Sequence, residues 1–192
     1  MRIIFWTLLI CLTTAALDVS AVPQSSEPSV LRDEARITKQ FQERVKAYVQ
    51  LQKQLEHMLP ALKQTRDEGE IHEHQLALRK LVADARRHAH RGDIFTKDIS
   101  RYYRAVTTDV LHSAAAPVVE KTIKEREAAR PIEVRVNIVF PDDVPVQTTP
   151  PLFLMRFPVL SMELSYRFVG RSLVLLDNKT NLIVDFIPDI LP

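Results

Sequence analysis

The 192-residue chain predicts an α+β fold, with an N-terminal helical hairpin or bundle of about four helices packed on a small C-terminal antiparallel meander. Three observations carry that expectation. Apolar residues recur every three or four positions up to about residue 130, then every second position from Pro131 onward. Only three glycines occur, which favours helices in the first part. No glycine-rich loop joins a strand to a helix, so nothing signals the crossover of a parallel sheet.

The elements follow in order. Met1-Arg2 gives a positive start, Ile3 to Leu17 is almost wholly apolar, and Val19-Ser20-Ala21 supplies small residues before Pro23. That order is a secretory signal, so residues 1–21 are expected to be cleaved after Ala21. The apolar run is about 15 residues, short of the ~20 that span a bilayer as a helix. It holds no lipoprotein box, because Ile10 is too bulky and Cys11 lies inside the run. Cleavage removes that single cysteine and leaves no thiol, disulfide or cysteine metal ligand, which fits a bacterial envelope. Residues 22–28 form a polar, proline-bearing leader.

Ser29 can cap a long helix that Pro60 stops after Leu59. Its stripe is Ile37, Phe41, Val45, Tyr48, Leu51, Leu55 and Met58. About three heptads fit, and Arg44 interrupts one row, so a hairpin within the chain is expected rather than a long coiled coil. A second helix runs from about Glu70 to Arg91 on Ile71, Leu78, Val82, Ala85 and Ala89, with Gly92 as its stop. Asp93 or Thr96 caps a third, striped by Phe95, Ile99, Tyr102, Tyr103, Val106 and Val110. Pro117 opens a fourth that ends near Ala129. From Pro131 the alternation of Ile132, Val134, Val136, Ile138 and Phe140 reads as a half-buried strand. A proline-rich connection, 141–158, leads to a hairpin of Tyr166–Val169 with Ser172–Leu176 around Gly170-Arg171. A turn at Asn178-Lys179 then gives Leu182–Ile187, four strands in all. Residues 29–130 and 131–192 are read as two segments of one domain.

The run ELSYRFVGRSLVLLDNKTNLIVDFIPDILP carries a resemblance, most distinctive in Tyr166-Arg167-Phe168-Val169-Gly170-Arg171 and Ile183-Val184-Asp185-Phe186-Ile187-Pro188. The chain from about Phe41 to Pro192 resembles an uncharacterised group of exported bacterial hypothetical proteins. The resemblance implies export and no catalytic or binding residue.

Charge argues against a nucleic-acid binder. Val22 to Arg130 holds 20 basic and 16 acidic residues, and Pro131 to Pro192 holds 5 and 7. Of six histidines, His72 and His74 are two apart, as are His88 and His90, hence about 200° apart around a helix. His72 and His90 share an azimuth but stand roughly 27 Å apart along it. The expectation is therefore no metal and no cofactor, with His57, His74 and His112 as the candidates for a site that separate helices could assemble. Arg79, Arg86 and His90 lie opposite the apolar stripe of the second helix, with Arg87 and Arg91 alongside. This basic face is the candidate binding surface, although cations near a helix C-terminus are also favourable on their own. Arg91-Gly92-Asp93 reads as last-turn cation, helix stop and next cap, not an adhesion motif.

No nucleophile elbow occurs, and Ser161, Ser165 and Ser172 have no histidine near them in sequence. Asp142-Asp143 reads as turn chemistry, and the sequon Asn178-Lys179-Thr180 as silent in a bacterial envelope. Asp185 shares a strand face with Ile183 and Ile187, where a carboxylate is costly to bury unless paired. Arg167 or Arg171 is its expected partner, and an edge-strand charge that blocks strand addition the commoner reading.

The expected function is an interaction or structural protein, exported to the periplasm or secreted. It meets an envelope protein or anionic polymer, not nucleic acid, and has no transmembrane segment after signal cleavage. The alternative is a small periplasmic metal-binding protein or hydrolase whose site at the helix–sheet seam uses Asp185, Arg167, His112 and Tyr103.

Overall fold

The computed structural model describes residues 27–62, 67–124, 132–141 and 149–191. The expected signal segment, Asp142-Asp143 and the stretch from 125 to Ala129 lie outside them. The elements are α1 (Glu27–Glu56), α2 (Glu68–Ala85), α3 (Lys97–Leu111), α4 (Ala116–Lys124), α5 (Pro151–Leu154), β1 (Leu164–Val169), β2 (Ser172–Asp177) and β3 (Ile183–Ile187). The fold is α+β: helices from the N-terminal part pack on a three-stranded antiparallel sheet in the order β1-β2-β3. No helix among the described residues is long and apolar enough to cross a membrane.

The first helix starts at Glu27, two residues before the expected cap and inside the expected leader, and its last turn dissolves before Pro60. Phe41, Val45 and Tyr48 are buried as the stripe requires, and α1 packs on α2 and α3. Asp67 caps α2, accepting hydrogen bonds from Gly69 N at 2.8 Å and Glu70 N at 3.4 Å.

That helix ends at Ala85, not Arg91, because tertiary partners take over its last carbonyls. The Asn137 amide donates to Ala83 O at 3.0 Å and Arg86 O at 2.8 Å. From there the chain runs in turns, and Gly92 adopts φ 96° without closing a helix. Thr96 sits at the N-cap of α3 but makes no capping bond with its side chain.

The segment 132–140 is not a regular strand, contrary to its alternation. Asn137 takes the left-handed conformation (φ 66°), which breaks the pleat and leaves one bridge, Val139 to Leu182. Burial nonetheless follows the pattern. Ile132, Val134, Ile138 and Phe140 pack with Val169, Val174, Leu176 and Ile183. The helices cover the other face, against Leu173, Leu175, Val184 and Ile187. Buried on both sides, β2 is apolar without alternation.

The hairpin register is as the sequence predicts, Val169 opposite Ser172 and Phe168 opposite Leu173, with Gly170 at φ 52°. Between β2 and β3 the register shifts: Leu175 faces Asp185 but Leu176 faces Ile183. This bulge puts two residues of β3 against one of β2 and reverses the phase of the strand. Ile183 therefore belongs to one face and Ile187 to the other, so the expectation that Asp185 shares a face with both is corrected.

Candidate functional site: a basic groove at the start of the third helix

Two fully buried aspartates organise the sheet's connection to the helices. The carboxylate of Asp185 accepts from four backbone amides: Gly92 (3.0 Å), Ile94 (2.8 Å), Phe95 (2.8 Å) and Phe186 (2.8 Å). Neither Arg167 nor Arg171 is its partner. Arg167 donates to Tyr166 O, and Arg171 to Leu191 O with Asp189 at 3.8 Å. The edge-charge reading also changes: Asp185 is held inside, under the 92–95 loop, and satisfies the Phe186 amide itself.

Asp177 ends β2 in the same manner. Its Oδ1 accepts from the amides of Lys179 and Thr180, and its Oδ2 from the Tyr48 hydroxyl and from Gln52 Nε2 at 2.6 Å. Burial pushes the Tyr48 hydroxyl far above its usual range, and the Asp177 charge adds to the shift.

Through Asp185 the 92–95 loop is fixed against β3, and that contact sets Arg91 beside the start of α3. Between them lies an open groove of about 720 Å³. Arg91, Lys97, Arg101 and Arg104 line it, over Phe95, Phe186, Ile187 and Pro188, and no carboxylate is among its lining residues. The Arg91 guanidinium lies 5.7 Å from the centre of the Phe186 ring. Arg104 is anchored by donating to the carbonyls of Pro188 and Asp189. Arg101 has an exposed partner, Asp98, at 3.2 Å. Exposed pairs of this kind are worth little, so Arg101 remains able to meet another anion. Chemically, the groove presents guanidinium and ammonium donors to negative charge.

A second, separate groove of about 440 Å³ also has Arg104 in its lining, with Thr108 and His112 of α3. Its charges are mixed: Arg104 and Arg171 face Glu120 and Asp189 there.

The predicted basic face divides. Arg79 is half-buried and donates to Thr180 O at 2.6 Å, and Arg86 donates to Val184 O at 3.0 Å while lying over the Tyr48 ring. Burial lowers the Arg86 pKa from its ordinary value. These two arginines tie α2 to the sheet. Arg87 and His90 are exposed, Arg87 against His88 and His90 through its amide to Asp93. Arg91 alone among the five lines the groove.

The four candidates of the catalytic alternative do not converge. Tyr103 is fully buried, its hydroxyl 2.6 Å from that of Tyr166, and burial raises its pKa well above the usual range. His112 is exposed at the end of α3, 2.8 Å from Thr108 O. No hydrogen bond or ion pair joins any two of Asp185, Arg167, His112 and Tyr103. His57 and His112 are exposed and His74 half-buried, and among the described residues no three His, Cys, Asp or Glu side chains could hold a metal ion together.

Lys97, Arg101 and Arg104 were not singled out by sequence. Their spacing of four and three places them on one side of α3, a signal the third helix did offer. Their proximity to Arg91 and Phe186 was not readable, because it depends on Asp185. Asp177 was missed as well, since it closes an apolar strand run whose turn explains an aspartate without any burial. No family model matches the chain, and no curated protein or solved structure matches it.

Proposed function

We propose that this chain is an exported protein of the bacterial envelope that works by binding: its basic groove takes an anionic group on an envelope protein or polymer. The observation that carries this reading is a concave lining with four cations and no carboxylate. Such a surface concentrates anions, because the low-dielectric wall focuses the field of converging charges. Arg91 stacked on Phe186 and Arg104 tied to two carbonyls are already ordered, so binding costs less side-chain entropy. Export itself rests on the charged, apolar and small-residue order of residues 1–21.

Calorimetric titration of the chain from Val22 onward with tripolyphosphate is the direct test. Binding is expected to weaken with salt, and the double variant Arg91→Ala/Arg101→Ala to bind about tenfold more weakly, roughly 1.4 kcal/mol. Equal affinity in wild type and variant overturns the reading.

A further inference from the structure

We infer that the anion taken by the basic groove carries an apolar ring or short hydrocarbon beside its charge, and that Phe186 and Pro188 select for it. The inference rests on the anion-binding reading of this groove and adds the chemistry of the rest of the ligand.

The two walls of the groove differ in kind. On the α3 side Lys97, Arg101 and Arg104 cover about 10 Å of the helix axis at 1.5 Å per residue. The other side is the end of β3, where Phe186 and Pro188 line the groove and are only half-buried, so part of each stays open to it. The Arg91 guanidinium over the Phe186 ring, 5.7 Å from its centre, sets a cation directly beside that aromatic surface.

A bare inorganic anion engages the cationic wall and leaves the apolar one against water. A phosphate or carboxylate borne on a ring uses both. Its charge meets the guanidinium and ammonium groups, while its ring covers wetted apolar surface, a gain that grows with the area covered. The volume of about 720 Å³ also falls within the ~300–1,000 Å³ of pockets that hold organic molecules, where apolar lining and a few placed polar groups act together.

The test is calorimetric titration with matched pairs that differ by the ring: phenyl phosphate against methyl phosphate, and benzoate against acetate. Whichever pair binds identifies phosphate or carboxylate as the ligand chemistry. Wild type is compared with Phe186→Leu, which keeps an apolar side chain at a half-buried position but removes the flat ring; circular dichroism checks that the variant is folded.

In wild type the ring-bearing member is expected to bind about tenfold more tightly than its partner. Added salt should weaken both members and leave their ratio unchanged, because screening acts on charge and not on apolar contact. In Phe186→Leu the ratio should fall to about threefold or less. A wild-type ratio below about twofold, or a tenfold ratio that Phe186→Leu leaves intact, overturns this inference. The groove reading then still stands if tripolyphosphate binds and Arg91→Ala/Arg101→Ala weakens it. If no anion binds wild type, tripolyphosphate included, both fall together.

Discussion

At Asp185 one side chain closes the bond requirements of a whole loop. Its oxygens take the amides of Gly92, Ile94 and Phe95, and Gly92 reaches that geometry at φ 96°, where a side chain is strained. Hydrogen bonds to a charged group contribute about 1.5–3 kcal/mol each, net of the exchange with water. Asp185→Ala leaves buried amides unpaired and is expected to cost about 3 kcal/mol or more, read as a lowered urea midpoint. A loss below about 1 kcal/mol would contradict this role. The sequence flagged the cost of burying this carboxylate, yet it pointed to arginines. Backbone amides leave no mark in a sequence, so the true partners were invisible there. Arg86 is the reverse case: legible as a cation on a helix face, and turned inward onto Val184 O by packing alone.

Among the elements, helices with long apolar stripes were readable and their ends were not. Stripes are set by local period, whereas the early end of α2 depends on Asn137, about fifty residues away. The same asparagine breaks the expected strand 132–140, although Phe140 stays buried and Ile132, Val134 and Ile138 half-buried against the sheet. Where α1 meets β1, Lys53 lies 2.7 Å from Glu163 just ahead of the strand. That hydrogen bond holds the Glu163 carboxyl well below the ordinary carboxylate range, at about 2. A folded-state pKa below the unfolded one stabilises the fold above about pH 4.5, and the contribution is lost as pH falls toward 2. Between pH 5 and pH 2.5 the wild type should therefore lose more stability than Glu163→Gln, compared by urea denaturation at both values. Equal losses would show that the Lys53 contact contributes nothing.

For the molecule as a whole, the charged, apolar and small-residue order of residues 1–21 sets the expected route. Expressed with its full N-terminus in a bacterium, the protein is expected in the envelope or medium, and N-terminal sequencing should begin at Val22. Recovery from the cytosol with Met1 intact would overturn the export reading. The α+β architecture and the hairpin register were determined by the sequence itself, because hydrophobic period and a glycine-marked turn act over a few residues. Tertiary structure alone decided the bulge that moved Ile183 to the other face of the sheet, the loop amides that meet the Asp185 carboxylate, and the alignment of Arg91 with Lys97, Arg101 and Arg104. The Asp185 bonds, on which that alignment depends, join residues about ninety positions apart, and such pairings exist only once the sheet and helices share a core.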